Sequence, residues 1–153
     1  MFYIAYGSNL NLDQMAFRCP RSVQVCRGVV HGWKLVFKYH ADIIETGDPA
    51  DLVPVLLWKI HDSDWKNLDR YEGFPAYYVK REIPVELEDG SVENCIAYVM
   101  TGKRSRIQPP SPHYFNIIEE GCIQNEIDVD CLYQALDESY YALENSEDVY
   151  INA

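Results

Sequence analysis

The chain has 153 residues, of which 48% are hydrophobic, and its formal net charge at pH 7 is −11. This length and apolar fraction are sufficient to build a substantial core, so we expect residues 1–153 to form a single folded domain. The excess of acidic residues disfavours binding to nucleic acid or to an anionic membrane surface.

Cysteines and histidines give no indication of a metal site. The five cysteines include no Cys-x-x-Cys pair, and the four histidines lack metal-ligand spacing. Neither a signal peptide nor an apolar stretch long enough to span a membrane is apparent, so we expect a cytoplasmic protein with reduced thiols. The Gly-rich loops of nucleotide-binding proteins are missing as well, and we therefore expect no cofactor.

The first half of the chain is predicted to consist mainly of strands. Its first apolar segment ends at Gly7-Ser8-Asn9, which is typical of a turn, and apolar residues at helical spacing follow until Pro20. Gly32 separates two segments rich in valine and aromatic residues, and it predicts a bend or a hairpin between them. The strands predicted in this half are residues 2–6, 23–31, 33–39, 42–45 and 55–60.

The second half combines helices with one hairpin. Asp89-Gly90 is typical of a β-hairpin turn, and Ser111 followed by Pro112 is typical of a helix N-terminus. The predicted elements are a helix at residues 62–73, strands at 78–87 and 92–101, a connection at 102–110, a helix from 112 and a helix at about 128–144. The whole pattern predicts the α+β class: a sheet of mostly antiparallel strands, open or closed into a barrel, with helices packed outside it.

Glu72 lies at the end of the predicted helix 62–73, on its apolar side. At about 100° per residue it projects between Trp65 and Leu68. A half-buried carboxylate at the C-terminal end of a helix has a raised pKa, because burial and the helix dipole both disfavour the charged form. Such a group suits a general base that works near neutral pH. The alternative is a glutamate at the rim of a frayed last turn.

Two further segments have features of a ligand-binding site. In residues 6–10, Tyr-Gly-Ser-Asn-Leu, the glycine allows close approach of the backbone, and successive N–H groups before a helix suit a carboxylate. Ordinary turn and cap chemistry is the alternative there. In residues 109–114, a stiff Pro-rich lead-in could aim the phenol of Tyr114 into a pocket, the alternative being that Tyr114 is a core aromatic.

The three segments occur in one order along the chain. They are Tyr-Gly-Ser-Asn-Leu at residues 6–10, Glu-Gly at 72–73 and Pro-Ser-Pro-His-Tyr at 110–114. In this combination the chain resembles the γ-glutamylcyclotransferase family, from residue 2 to about residue 125, and the first motif is the hallmark of that family. The resemblance implies a small mixed, mostly antiparallel β-barrel flanked by helices.

The resemblance also implies which residues form the site. Glu72 matches the catalytic glutamate of the family. The implied substrate-binding residues are Tyr6, Gly7, Ser8, Asn9, Leu10, Tyr78 and Tyr114. Tyr77 competes with Tyr78 for the position in the strand after the glutamate.

The implied reaction is cyclisation of a γ-glutamyl group. The α-amine of the substrate attacks its own γ-carbonyl and closes a five-membered lactam, giving 5-oxoproline and a free amine, so that no protein nucleophile is needed. Glu72 would take a proton from the α-ammonium and return it to the leaving nitrogen. The resemblance leaves the substrate open among γ-glutamyl amino acids, γ-glutamyl amines and γ-glutamyl-protected metabolites. It also implies a homodimer as one possible assembly.

Two other functions are alternatives. One is a non-catalytic ligand-binding or protein-interaction domain on the same fold, whose signature would be loss of the glutamate. The other is a cysteine hydrolase that uses Cys95 or Cys122. The presence of Glu72 and the lack of a histidine linked by a motif to either cysteine favour the cyclotransferase.

Overall fold

The computed structural model describes residues 1–102 and 106–152, with side chains described up to residue 145. The strands in this part of the chain are β1 (Tyr3–Ala5), β2 (Val23–His31), β3 (Trp33–Lys38), β4 (His40–Glu45), β5 (Leu52–Lys59), β6 (Tyr78–Leu87) and β7 (Val92–Met100). The helices are α1 (Leu12–Arg18), α2 (Trp65–Glu72), α3 (Pro112–Gln124) and α4 (Asp130–Asn152), and Ser8–Leu10 forms a single 3₁₀ turn. Among the described helices, none combines the length and the apolar character needed to cross a membrane.

Five strands form a closed barrel in the order β1-β5-β2-β6-β7. Neighbouring strands run antiparallel except β1 and β7, which pair in parallel through Tyr3 and Ile96. The predicted α+β class and the mixed, mostly antiparallel barrel are therefore confirmed. β6 and β7 form the predicted hairpin, with Glu86 opposite Val92 and Gly90 at a left-handed φ of 84° in its turn.

Gly32 produces a bend and not a hairpin. Its φ of 80° redirects the chain, but β2 is already hydrogen-bonded to β5 on one side and to β6 on the other. β3 therefore leaves the barrel and pairs with β4 in a separate two-stranded sheet. This second sheet brings Ala41 of β4 next to Gly7, at the end of the barrel where the cavity lies.

Two helices differ from the prediction in their bounds. α2 begins at Trp65 and not at residue 62, but it ends as predicted, because Gly73 adopts a left-handed φ of 66° and its N–H bonds the Arg70 carbonyl. α4 continues to Asn152, past the predicted end at residue 144, since no glycine or proline interrupts the chain there. The predicted connection 102–110 includes residues 103–105, which lie outside the described residues.

The 3₁₀ turn at residues 8–10 is held between the barrel and α3. Leu10 is buried in the core, with 2% of its surface exposed. Asn125, which follows α3, donates from Nδ2 to the Leu10 carbonyl oxygen at 2.7 Å. Asn11 caps α1 with its Oδ1 and donates from Nδ2 to the Ile117 carbonyl of α3 at 3.0 Å. The turn is thus fixed by hydrogen bonds to a helix that follows it by more than a hundred residues.

We expect Gly121→Ala to destabilise the protein, although alanine normally stabilises a helix by about 1 kcal/mol relative to glycine. A Cβ at this position of α3 would lie 2.6 Å from the Leu10 carbonyl carbon and from the Asn11 nitrogen. Helix or turn must move apart, and such overpacking costs about 1–3 kcal/mol. Urea unfolding measures the change, with Asn116→Ala at an exposed position of α3 as the control. Unchanged or higher stability of Gly121→Ala would contradict the close contact.

Candidate active site

A cavity of about 430 Å³ lies where the end of α2 meets the 8–10 turn and β4. This volume falls within the range of small-molecule sites. The lining residues are Tyr3, Tyr6, Gly7, Ser8, Asn9, His40, Ala41, Arg70, Tyr71, Glu72, Gly73, Tyr77, Tyr78, Tyr98 and Tyr114. Seven of them are tyrosines, so the walls are aromatic surfaces with hydroxyl groups at their edges, and Glu72 is the single carboxylate among them.

The structure brings most of the expected site residues together, and Leu10 is the exception. The expected residues that line the cavity are Tyr6, Gly7, Ser8, Asn9, Glu72, Tyr78 and Tyr114. Leu10 faces the hydrophobic core, because a 3₁₀ turn has three residues per turn and points successive side chains in different directions. Its assignment to the pocket wall is therefore corrected: it anchors the turn. Tyr77 and Tyr78 both line the cavity, but Tyr78 is buried whereas Tyr77 is 52% exposed.

Glu72 is the last residue of α2, and its carboxylate is largely removed from water. Burial has the largest influence on its pKa and raises it from 4.5 to about 7, while the charge of Arg18 and a hydrogen bond from Asn9 act in the opposite direction. The Nδ2 atom of Asn9 lies 3.1 Å from Glu72 Oε1. Both protonation states are therefore accessible near neutral pH, which a group that accepts and returns a proton requires.

Asn9 directs its side-chain amide at protein neighbours. Its Nδ2 donates to Glu72 and also to the Tyr3 hydroxyl at 2.9 Å, and its Oδ1 accepts from Arg18 Nη1 at 2.5 Å. The guanidinium of Arg18 lies on the ring of Tyr71, 3.5 Å from its centroid. Sequence analysis did not identify Arg18 or Tyr3. An arginine in the last turn of a helix is ordinarily explained by the helix dipole, and a tyrosine in an apolar strand by the core.

Two tyrosine hydroxyls bond Ala41 of β4, but in opposite senses. Tyr78 donates its proton to the Ala41 carbonyl oxygen at 2.7 Å, whereas Tyr114 accepts from the Ala41 N–H at 3.1 Å. Burial raises the pKa of both phenols above its ordinary value, so both keep their proton at neutral pH. Because Tyr114 serves as an acceptor here, its own O–H is available to donate to another group.

Gly7 allows the turn, β4 and α3 to converge. A Cβ on Gly7 would lie 3.2 Å from the Ala41 Cβ and 3.5 Å from the Tyr114 oxygen. Beyond it, the Ser8 hydroxyl and the Tyr71 hydroxyl are 3.0 Å apart and connect the turn to α2. The turn has no side-chain cap, and the first N–H groups of a helical turn have no partner within it. Such N–H groups suit a small anion.

This combination is suited to acid/base chemistry on a small molecule. A carboxylate with a pKa near 7 lies in a pocket of small-molecule size, beside a free phenol proton and backbone donors. A carboxylate with a perturbed pKa in a cleft is a candidate functional group.

Comparison with known proteins identifies the family. The family described as "Gamma-glutamyl cyclotransferase, AIG2-like" matches residues 3–116. The gamma-glutamylcyclotransferases of Mus musculus and Homo sapiens are each 33% identical over 134 residues, which cover 80% of this chain and 70% of the relative. The chain therefore belongs to the γ-glutamyl cyclotransferase, AIG2-like family, and it is an enzyme of this kind.

Solved structures agree with this assignment. A structure named "Gamma-glutamyl cyclotransferase" has a TM-score of 0.76 and 29% identity, with coverage of 88% of this chain and 85% of that chain. YkqA from Bacillus subtilis has a TM-score of 0.72 at 22% identity and covers 92% of this chain and 54% of that chain. At that identity the second similarity concerns the fold alone. The resemblance inferred from the three motifs is thus confirmed.

We expect the titration of the Glu72 carboxyl group to lower the free energy of unfolding as the pH rises from about 4.5 to about 7. In this window the unfolded chain has lost the proton while the folded protein still holds it. The folded state then binds more protons, and its stability decreases with rising pH until the folded group has ionised too. The glutamine side chain of the Glu72→Gln variant cannot titrate, so the variant should lack this pH-dependent contribution to stability.

Urea unfolding of both proteins at several pH values measures the difference. Stability of the wild type relative to Glu72→Gln should decline across the window and then level off. Glu82→Gln makes the same chemical change at an exposed position of β6 and is the control. A constant difference between wild type and Glu72→Gln would contradict the raised pKa.

Proposed function

We propose that this protein cyclises the γ-glutamyl group of a small γ-glutamyl amide to 5-oxoproline and releases the amine or amino acid, with Glu72 as the general acid/base. The observation that carries the proposal is the Glu72 carboxylate, which has a pKa of about 7 and is the single carboxylate among the described residues that line the cavity. Membership of the cyclotransferase family supports the reaction class.

The reaction consists of one ring closure and one bond cleavage. Glu72 takes a proton from the α-ammonium of the substrate, and the free amine attacks the γ-carbonyl carbon. The C–N bond of the lactam forms, and the C–N bond of the γ-amide breaks. Glu72 returns its proton to the leaving nitrogen, and the second proton lost by the attacking nitrogen protonates the released amine. General acid/base catalysis of this kind contributes about 10²–10⁴-fold.

The substrate must be folded so that its amine reaches its own carbonyl. We assign the α-carboxylate to the backbone N–H groups of Ser8 and Asn9, because no side chain caps the turn and the Leu10 N–H already donates to the Gly7 carbonyl. The free O–H of Tyr114 supports a further hydrogen bond to the substrate, because its oxygen already accepts from the Ala41 N–H. Holding the two reacting atoms together replaces an encounter by a unimolecular step, a large effect in cyclisations.

The chemistry of the cysteines disfavours the hydrolase alternative. Burial raises the pKa of the thiols of Cys95 and Cys122 to about 11 in each case, so that little thiolate is present at neutral pH. A non-catalytic domain would not need a carboxylate placed in the cavity at the cost of its solvation.

We also propose a cytoplasmic location and a homodimer; light scattering after gel filtration tests the assembly.

We expect Glu72→Gln to lower kcat for 5-oxoproline release by at least about 10²-fold, since the amide can neither accept nor return the proton. The assay uses a panel of γ-glutamyl dipeptides and γ-glutamyl amines, and the preferred leaving group defines the substrate class. Circular dichroism and thermal unfolding verify the fold of the variant. Glu82→Gln is the control and should retain wild-type activity. Activity of Glu72→Gln close to that of wild type would refute the assigned role.

We expect Tyr114→Phe to reduce kcat/KM more than Tyr78→Phe does. Each variant loses one hydrogen bond to Ala41, but Tyr114 alone has a hydroxyl proton left for the substrate. One neutral hydrogen bond contributes about 0.5–1.5 kcal/mol, or roughly two- to thirteenfold in kcat/KM. Steady-state kinetics of the two variants, matched by thermal unfolding, measure the difference. Equal losses of kcat/KM in the two variants would contradict this prediction and would mean that both hydroxyls affect catalysis only by bonding Ala41 of β4.

A further inference from the structure

We propose that Arg18 is a positioning residue for the reaction, because it holds the side-chain amide of Asn9 in the orientation that presents an N–H group to Glu72. Arg18 is absent from the cavity lining, so it acts through Asn9 and not on the substrate. The inference rests on the proposed function, in which Glu72 carries the proton.

The amide of Asn9 has two orientations, related by a half-turn that exchanges Oδ1 and Nδ2. In the observed one, Nδ2 lies 3.1 Å from Glu72 Oε1 and 2.9 Å from the Tyr3 oxygen. A guanidinium has only donors, so Arg18 permits just the orientation with Oδ1 toward it, whereas the Tyr3 hydroxyl can donate or accept and tolerates both. Arg18 therefore selects the orientation.

This selection matters most while Glu72 carries the proton. An ionised carboxylate by itself attracts the N–H of Asn9, but a protonated carboxyl group can also donate to an amide oxygen. Without Arg18, the amide could turn its oxygen to the protonated group and stabilise the acid. With Arg18 in place, the N–H continues to face Glu72 and favours the return of the group to its ionised state.

Arg18 is itself held by three elements. Its Nη2 donates to Gln14 Oε1 on α1 at 2.7 Å, and its Nη1 lies 3.3 Å from Ser8 Oγ in the turn. Its guanidinium lies over the ring of Tyr71, which precedes Glu72 on α2, with Cζ 3.5 Å from the ring centroid. Such a forked and stacked arrangement uses the planar shape of arginine, and lysine cannot reproduce all of it.

The other ionisable groups around Glu72 do not replace Arg18. The phenols that face it from the other elements are Tyr3 and Tyr6 near β1, Tyr78 on β6, Tyr98 on β7 and Tyr114 on α3; burial raises the pKa of each, so all are neutral. His40 also lines the cavity, and burial lowers its pKa. Arg70 lines it from α2 itself and is exposed. The charge that acts on Glu72 comes from Arg18.

The test compares Arg18→Met and Arg18→Lys with wild type. Arg21→Met, at an exposed position three residues further on, makes the same change in net charge and is the control. Two readouts are followed: kcat and KM for 5-oxoproline release between about pH 5 and 9, and the titration of the Glu72 carboxyl carbon by ¹³C NMR. The NMR signal is assigned with Glu72→Gln.

In Arg18→Met, we expect the Glu72 titration and the acidic limb of the kcat/KM profile to move together to higher pH, by about one unit. At neutral pH, kcat should fall about fivefold and recover in part at alkaline pH, while KM stays near its wild-type value, because the ionised fraction of Glu72 drops from about one half to about one tenth. Arg18→Lys should restore part of the shift, because it retains the charge and one donor. Arg21→Met should behave as wild type.

Two outcomes would overturn the inference. One is an unchanged Glu72 titration in a folded Arg18→Met protein, and the other is a raised KM with unchanged kcat, which would place Arg18 on the substrate. If Arg18→Met does not fold, Arg18→Gln replaces it, since its neutral amide can donate or accept and no longer selects the Asn9 orientation. If wild type releases no 5-oxoproline from any substrate, the proposed function fails, whereas the NMR titration still decides the role of Arg18.

Discussion

The candidate site depends on the immobility of a turn that is too short to be stable alone. A single 3₁₀ turn forms few hydrogen bonds of its own, and isolated short helices are marginal in water. Residues 8–10 are fixed by the burial of Leu10 in the core and by α3, whose Gly121 allows its backbone to approach Leu10 and Asn11. Asn9 can therefore meet Glu72 at a defined distance, although the two residues lie far apart in the sequence.

Asp42 is buried and Glu72 half-buried, and the partners of each carboxylate indicate which of the two is suited to chemistry. Asp42 accepts from Lys38 Nζ at 2.8 Å and from the Met100 N–H at 3.0 Å, so its charge is compensated where it is buried. Among the described residues Glu72 accepts one hydrogen bond, from the neutral amide of Asn9, and Arg18, whose charge lowers its pKa, bonds Asn9 and not Glu72 itself. A carboxylate with so little compensation is close to the balance between its charged and neutral forms. Asp42 stabilises β4, whereas Glu72 can exchange a proton.

Local patterns in the sequence were sufficient for the features that depend on neighbouring residues. Helical periodicity placed Glu72 on the apolar side of α2, Gly73 marked the helix end, and Asp89-Gly90 predicted the hairpin. Gly32 shows where this information ends. Its conformation followed from the local sequence, but the choice between bend and hairpin depended on β5 and β6 occupying both edges of β2.

The same distinction explains the site residues that were missed or misassigned. Leu10 belongs to the family motif, yet its side chain faces the core, because the direction of each side chain in a 3₁₀ turn depends on how the turn is packed. Arg18 and Ala41 act through contacts with Asn9, Tyr78 and Tyr114 that only the folded chain brings together. No periodicity or motif spacing reports such contacts.

A site with one carboxylate fits a reaction in which nucleophile and electrophile belong to the same molecule. Hydrolysis of the same amide would require the protein to hold and activate a water or to provide a nucleophile of its own. In a cyclisation the substrate supplies the nucleophile, and the main requirement is to restrict its conformations. A turn without a side-chain cap, set against a wall of tyrosines, is suited to that requirement. The remaining requirement is a proton carrier close to the attacking and the leaving nitrogen. Both nitrogens bond the same γ-carbonyl carbon, one in the forming and one in the breaking bond. A single group such as Glu72 can therefore exchange protons with both.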